Sequence, residues 1–290
     1  MDSKELLKKV RKIEIKTKGL SKQLFSGEYH SAFKGRGMSF SEVRGYQYGD
    51  DVRNIDWNVT ARTGEAHVKI FEEERELTVM LLVDVSQSVQ FGTRRQFKSE
   101  MITELCAVLA FSAINNNDKV GIIFFSDRIE KFIPPKKGKT HILRIIRELI
   151  NFDPLDKRTD LGQALQYMNN LIKKRSICFV LSDFITSGYE QALRIVARRH
   201  DLIGVHIFDP LEEQFPAVGL IRAQDAETGK MDWVDSSNPA VRKRFEQWFE
   251  DKKEGFQSNF RRTGADVLHI SSDEDYAHAL HKFFQKRIHA

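Results

Sequence analysis

The chain has 290 residues, 41% of them hydrophobic, 30% charged and 10% aromatic. That is enough apolar material for a sizeable core and excludes wholesale disorder, while 17 Gly and 6 Pro exclude collagen-like and Pro-rich linker classes. No apolar run approaches the roughly 20 residues that span a bilayer. The N-terminus MDSKELLKKVRK has no apolar stretch of signal-peptide type, so a cytoplasmic protein without a membrane span is expected. Net charge is +5, and the whole surplus lies in residues 1–70, which hold 14 Lys+Arg against 9 Asp+Glu. Acids are interleaved there (Glu28, Glu42, Asp50, Asp51, Asp56) and no basic block with alternating aromatics occurs. A solvated basic face or an acidic protein partner is therefore expected, and no nucleic acid. Cys106 and Cys178 lie apart inside apolar runs; they read as small buried hydrophobes, not as a disulfide or zinc site.

Residues 4–25 suggest a basic amphipathic helix, and a Gly-rich polar stretch follows it. The chain becomes regular at residue 78. TVMLLVDV (78–85) is a continuous β-branched run of the kind found in strands covered on both faces. Residues 96–115 carry apolar side chains at helical spacing and end in an Asn-Asn-Asn-Asp breaker. A second buried strand is expected at 119–126, with 128–135 hairpinned to it, then helices at 140–152 and 160–173. Strand 175–184, helix 189–200 and strand 202–209 follow. Residues 219–235 predict a hairpin turning at Glu227-Thr228-Gly229, 238–262 a long helix, 265–271 a last strand, and a terminal helix starts at Asp273. Phe91, Phe97, Phe111, Phe124 and Phe125 fall on core-facing positions. Glu212 and Glu213 read as surface residues. Strands alternating with helices of these lengths predict an α/β fold: a doubly wound, mostly parallel sheet with helices on both faces. Two domains are expected, an N-terminal α/irregular extension at 1–70 packed on the sheet domain at 71–290.

In such a sheet, ligands bind at the carboxyl ends of the strands. Asp84-Val85-Ser86-Gln87-Ser88 follows the first buried strand, Ser182-Asp183 follows a later one, and Thr159 precedes a helix. Singly these are weak signals, since a Ser or Thr before a helix is most often an N-cap and an Asp closing a strand a turn former. Together, Asp84, Ser86, Ser88, Thr159 and Asp183 offer three hydroxyls and two carboxylates at one edge of the sheet. Such hard oxygen donors suit Mg²⁺, with Mn²⁺ or Ca²⁺ as alternatives. Alternate residues of D-x-S-x-S face the same side of a loop leaving a strand, so their oxygens can converge.

This set resembles the metal-ion-dependent adhesion site of von Willebrand factor A-type domains, in the same chain order. The resemblance implies that Ser86, Ser88 and Thr159 bind the metal directly, that Asp84 and Asp183 act through waters and hydrogen bonds, and that an open coordination position takes an acidic side chain of a partner. Upstream, EVRGYQYGDDVRNIDWNVTAR (42–62) resembles the signature of bacterial domain-of-unknown-function family number fifty-eight, with Glu42, Arg44, Tyr46, Gly49, Asp50, Asp51, Arg53, Ile55, Asp56, Trp57, Ala61 and Arg62 in register. Members place this segment before an A-type domain and are usually encoded beside MoxR-type AAA+ ATPases, which implies such an ATPase, or its client, as partner. Physically, three Arg interleaved with four acids suit a charge-paired, partly buried network, with Tyr46 and Trp57 anchoring the loop by burial. That network reads either as scaffold or as a direct partner-binding element.

Catalysis is not expected. Position 86 is Ser where a D-x-D phosphotransferase needs its second carboxylate, and G-x-S-x-G, P-loop and H-E-x-x-H motifs are missing. A cation held mainly by hydroxyls stays electrophilic, which favours capture of an anionic ligand over activation of water. The sequence thus predicts a metal-dependent protein-interaction module, an adaptor of an AAA+ ATPase. A metal-dependent phosphoesterase, and a nucleic-acid-binding protein using the basic N-terminal segment, are the alternatives.

Overall fold

The computed structural model describes residues 8–17, 20, 38–73, 77–92, 97–153, 158–224 and 231–288. The chain forms two compact units: Phe33–Glu76, and Met1–Ala32 together with Leu77–Ala290. These divisions differ from a boundary at residue 70, because the N-terminal helical segment clusters with the sheet and not with the segment that follows it.

The larger unit is a six-stranded sheet made of β3 (Thr78–Asp84), β4 (Lys119–Phe125), β5 (Ile129–Lys136), β6 (Ile177–Ser182), β7 (Asp201–Phe208) and β10 (Asp266–Ser271), in spatial order β10-β7-β6-β3-β4-β5. All neighbours are parallel except β4 and β5, which form an antiparallel pair. Counted from β3, this is the order 3-2-1-4-5-6 with its third strand reversed. The expected α/β architecture, a doubly wound, mostly parallel six-stranded sheet with helices on both faces, is the one observed. β3 and β6 are buried along almost their whole length, as their unbroken apolar sequences require when helices cover both faces.

On one face lie α3 (Lys98–Asn115) and α4 (Lys139–Asn151), packed against each other. The segment 8–17 (α1) joins this layer: Lys16 pairs with Glu104 at 2.5 Å, and Glu14 with Lys139 at 2.5 Å. On the other face α5 (Leu161–Leu171), α6 (Glu190–Arg199) and α8 (Pro239–Arg262) bury Leu161, Leu165, Met168, Leu193, Val196, Phe256 and Phe260 against Met80, Leu82, Cys178 and Val180. The short helix α7 (Pro210–Glu213) follows β7, and α9 (Tyr276–Ile288) packs on β10. β8 (Leu220–Gln224) and β9 (Met231–Asp235) form the expected antiparallel hairpin; its turn at 227–229 lies outside the described residues. Cys106 and Cys178 are free and buried. Phe111, Phe124 and Phe125 are core residues as expected, but Phe91 and Phe97 are 43% and 51% exposed. They flank the start of α3 rather than its inner stripe, so helical spacing did not apply to them.

The smaller unit contains β1 (Met38–Gly45) and β2 (His67–Glu73), paired antiparallel with an irregularity between Phe40 and Glu42. Between them lie a 3-10 turn (Val52–Asn54) and α2 (Trp57–Thr63). Part of the segment expected to be irregular is thus a hairpin carrying a short helix. Its strands are charged and its pairing spans a long insertion, so neither a period-2 pattern nor a tight-turn signal marks it.

A candidate metal centre at the switch point of the sheet

From β3 the chain winds outward through β4 and β5, then returns to β6 on the other side of β3. The crossovers leaving β3 and β6 therefore run in opposite directions, and right-handedness puts their helices on opposite faces. The ends of β3 and β6 open the crevice where doubly wound sheets hold ligands.

Register brings the two strand ends side by side, pairing Val83 with Leu181. Asp84 is 1% exposed. Its Oδ2 accepts from the Ser182 hydroxyl at 2.6 Å, and its Oδ1 from the Ser86 backbone N–H at 2.9 Å. The second bond turns the chain out of the strand into the 3-10 turn Gln87–Gln90. Ser86 occupies the N-cap position of that turn, yet its side chain makes no capping bond. Instead, Ser86 Oγ lies 3.0 Å from Ser88 Oγ. The serines of D-x-S-x-S are thus turned toward each other, as their spacing predicts.

Asp183 is 4% exposed and shares in a hydrogen bond with the Ser88 side chain. Its Oδ1 accepts from Ile185 N–H at 3.3 Å. The turn is sharp because Phe184 takes a left-handed backbone, φ +53°, unfavourable for a bulky L-residue. Two contacts hold it there: Phe184 N–H donates to Ser182 Oγ at 3.0 Å, and its ring stacks on Phe256 with centroids 4.0 Å apart. Core packing on one face thereby aims a carboxylate into the crevice.

Thr159 reaches the same edge through its backbone. The next residue's N–H, Asp160, donates to Ser126 O at the end of β4 (2.8 Å), and Thr159 O accepts from Thr186 Oγ1 at 3.0 Å. The N-cap of α5 is Asp160, whose carboxylate accepts from Gln163 N–H at 2.9 Å. Capping, the commonest role of a Thr at such a position, therefore falls to its neighbour. Asp84, Ser86, Ser88 and Asp183 are joined in one hydrogen-bonded cluster, and Thr159 is tied to the segment after Asp183 through its carbonyl, which accepts from Thr186.

Four further residues extend the cluster without having been expected. Lys98, the first residue of α3, is fully buried. Its Nζ donates to Asp183 Oδ2 at 3.1 Å and to Glu212 Oε1 at 2.7 Å. Glu212, expected on the surface, is mostly enclosed, because its other oxygen closes a capping box with Asp209 N–H at 2.8 Å at the start of α7. Asp209 Oδ2 in turn accepts from Ser272 Oγ, 2.8 Å away past the end of β10. A chain of polar groups thus runs along the carboxyl ends of β3, β6, β7 and β10. The Asp209-Pro-Leu-Glu212 segment carries a readable capping-box signature, but a lysine heading an apolar helix carries no spacing signal.

Asp183 and Glu212 share the Lys98 ammonium, and with the buried Asp84 and Asp209 the enclosed site carries more negative than positive formal charge. Among the described residues, Asp84 has no ion-pair partner. Its burial, and then the charge of Asp183, push its carboxyl up to about 6. Burial would raise Asp183 too, but Lys98 beside it and the Ser88 hydrogen bond hold it below the usual carboxylate range. Burial alone would pull Lys98 down, yet Asp183 and Glu212 together keep its ammonium above the ordinary lysine value. Hard oxygen donors with negative charge in excess fit a divalent cation.

In the smaller unit, the signature residues form two ion pairs. Arg44 holds Asp50 in a bidentate pair, both N···O distances 2.8 Å, and Asp50 accepts from Gln47 N–H at 2.7 Å, closing the turn after β1. Arg53 and Asp51 pair at 2.7 Å in an exposed setting. Asp56 caps α2 by accepting from Asn58 and Val59 N–H at 3.0 and 3.2 Å, with Lys69 Nζ 3.6 Å away. The charge-paired network is present in part. Glu42 and Arg62 take part in none of these ion pairs. The expected burial of the aromatic anchors is not observed: Trp57 is 70% exposed and Tyr46 36% exposed. Trp57 is the first residue of α2, and its ring is left largely in solvent.

The family described as "Protein of unknown function DUF58" matches residues 42–255. The chain is 28% identical over 290 residues to the Mycobacterium tuberculosis (strain H37Rv) "Uncharacterized protein Rv1480", covering 99% of this chain and 91% of that one. It is 27% identical over 130 residues to YeaD of Bacillus subtilis (strain 168), covering 42% and 30% of the two chains. Among solved structures, an aerotolerance-related membrane protein from Bacteroides fragilis NCTC 9343 superimposes with a TM-score of 0.50 at 16% identity, over 73% of this chain and 98% of that one. That likeness concerns the fold alone. No helix among the described residues is long and apolar enough to cross a membrane.

Proposed function

The chain belongs to the DUF58 family, and from that premise we propose that it is a metal-dependent protein-interaction module. Ser86, Ser88 and Thr159 would hold a divalent cation, Mg²⁺ in the first instance, with Asp84 and Asp183 fixing and neutralising the site from behind. The cation would supply an electrophilic position for an Asp or Glu side chain of a partner. The residues' own part is to orient the hydroxyls, exclude bulk water and concentrate negative charge. The observation that carries this reading is the enclosed, hydrogen-bonded cluster of Asp84, Ser86, Ser88 and Asp183 at the strand ends, rich in negative charge.

Binding is favoured over catalysis by the state of the groups present. Lys98 is held protonated between two carboxylates, so it is no general base, and Asp84 is occupied by Ser182 and Ser86. The partner we infer is a MoxR-type AAA+ ATPase or its client, as the signature segment implies, and the site of action is the cytoplasm. The exposed Tyr46, Tyr48 and Trp57, in the same segment as the exposed Arg53, support a docking role for it, since aromatic and Arg side chains dominate the energetics of protein interfaces.

The test is calorimetric titration of the EDTA-treated protein with MnCl₂ and MgCl₂, comparing wild type with Ser86→Ala/Ser88→Ala, followed by capture of a MoxR-type AAA+ ATPase from the same organism with and without EDTA. The variant is expected to lose cation binding. It should also lose about 1–3 kcal/mol of stability, because Ser86 is fully buried and not a free loop side chain. Equal ATPase capture with and without chelator, or turnover of a phosphoester substrate, overturns the proposal.

A further inference from the structure

Lys98 is the one basic side chain of the described residues that reaches the cluster, and its placement is unusual. It sits in the first turn of α3, where the helix dipole disfavours a cation, and it is fully buried, which costs several kcal/mol unless the charge is paired. Phe91 adds an aromatic ring whose centroid lies 6.0 Å from Nζ. The ammonium is divided between an inner partner, Asp183 at 3.1 Å, and an outer partner, Glu212 at 2.7 Å. Asp183 is also the carboxylate that hydrogen-bonds Ser88. Any cation bound at the serines therefore draws on a carboxylate that Lys98 already uses, and it meets a fixed positive charge in a medium of low dielectric.

We propose that Lys98 is a built-in counter-ion that sets the affinity of the centre for its divalent cation, with Glu212 as the alternative anchor that draws the ammonium off Asp183. The proposal rests on the metal-binding reading above and deepens it. It assigns Lys98 a role opposite to that of a ligand: its charge weakens cation binding. Glu212 strengthens binding from a distance: it touches Lys98 and none of the proposed ligands. The affinity of the site is then governed from the start of α7, which the Asp209 capping box and Ser272 tie to the ends of β7 and β10.

The experiment is titration of the full chain, stripped with EDTA, with MnCl₂ and separately MgCl₂, for wild type, Lys98→Met, Glu212→Gln and the double variant. Removing the ammonium should tighten cation binding about tenfold or more, and Glu212→Gln should weaken it, since the ammonium then has Asp183 alone. Lys98→Met leaves two buried carboxylates unpaired and can fail to fold without cation. The double variant removes the outer carboxylate as well and keeps the test available; it should bind more tightly than wild type. A purely structural role for Lys98 would weaken binding in all three variants alike. Wild-type binding combined with equal or weaker binding by the double variant overturns the proposal. Should wild type bind neither cation while remaining folded, the metal reading itself falls, and this inference with it.

Discussion

Two histidines packed ring to ring in the core should make the fold acid-labile in a way that can be calculated. His206, on β7, and His269, opposite it on β10, place their Nδ1 atoms 3.0 Å apart. Phe184, Phe208, Phe249 and Phe256 surround His206. Burial, and next the neighbouring His269, lower His206 to about 3; burial, with Lys253 and Arg261, lowers His269 to about 4. Both rings are neutral in the fold and regain an ordinary value near 6.5 on unfolding. The unfolded chain therefore takes up protons first as pH falls, and stability present above pH 6.5 is lost below it. Down to pH 4.5, a ring kept neutral loses up to about 2.7 kcal/mol. His269 is only half-buried and contributes less, so the pair should account for about 3–4 kcal/mol. Guanidinium unfolding in EDTA at pH 7.5, 6.5, 5.5 and 4.5 should show this loss in wild type, and much less of it in His206→Leu/His269→Leu. Asp84, raised by burial, titrates with the opposite sign in both proteins and cancels in the comparison. Parallel stability–pH curves for the two proteins would refute the reasoning.

Gly204 lies on β7 beneath α8, and a Cβ there would come within 2.6 Å of the Phe260 ring and 3.0 Å of Phe256. Gly204→Ala should therefore cost about 1–3 kcal/mol by overpacking, read as a lower guanidinium midpoint at unchanged slope; an unshifted midpoint would show that α8 gives way freely. Asp56→Ala removes the two N-cap bonds of α2. Faster amide exchange is expected over residues 58–63 with no change along β3, and unchanged exchange there would mean that Asp56 does not hold the helix.

The sheet was legible because its strands are buried on both faces. TVMLLVD, KVGIIFF and ICFVLS are apolar runs with a polar stop, and the helices between them show the 3.6-residue period that one covered face imposes. The smaller unit was legible only in its charges. The Arg44–Asp50 fork follows from residue types that match in geometry, but β1 and β2 are joined across more than 20 residues, and no local pattern encodes a pairing of that span. Nor does an aromatic residue type encode burial by itself, as the 70% exposed Trp57 shows.

The candidate centre divides along the same line. Asp84, Ser86, Ser88 and Asp183 could be found because each ends a strand or follows one at a fixed offset, so topology alone gathers them. Lys98 could not, since a helix's first residue is a solvent position by every sequence rule, and its burial comes from two carboxylates 85 and 114 residues away. Yet Lys98 decides what the centre can be. With it, part of the negative charge gathered at the strand ends is compensated before any cation binds. Without it, a single divalent cation would leave more buried carboxylate uncompensated. The lysine that competes with the cation is thus also the residue that lessens the charge the cation must neutralise, which is why its removal should trade stability of the empty site for affinity of the filled one.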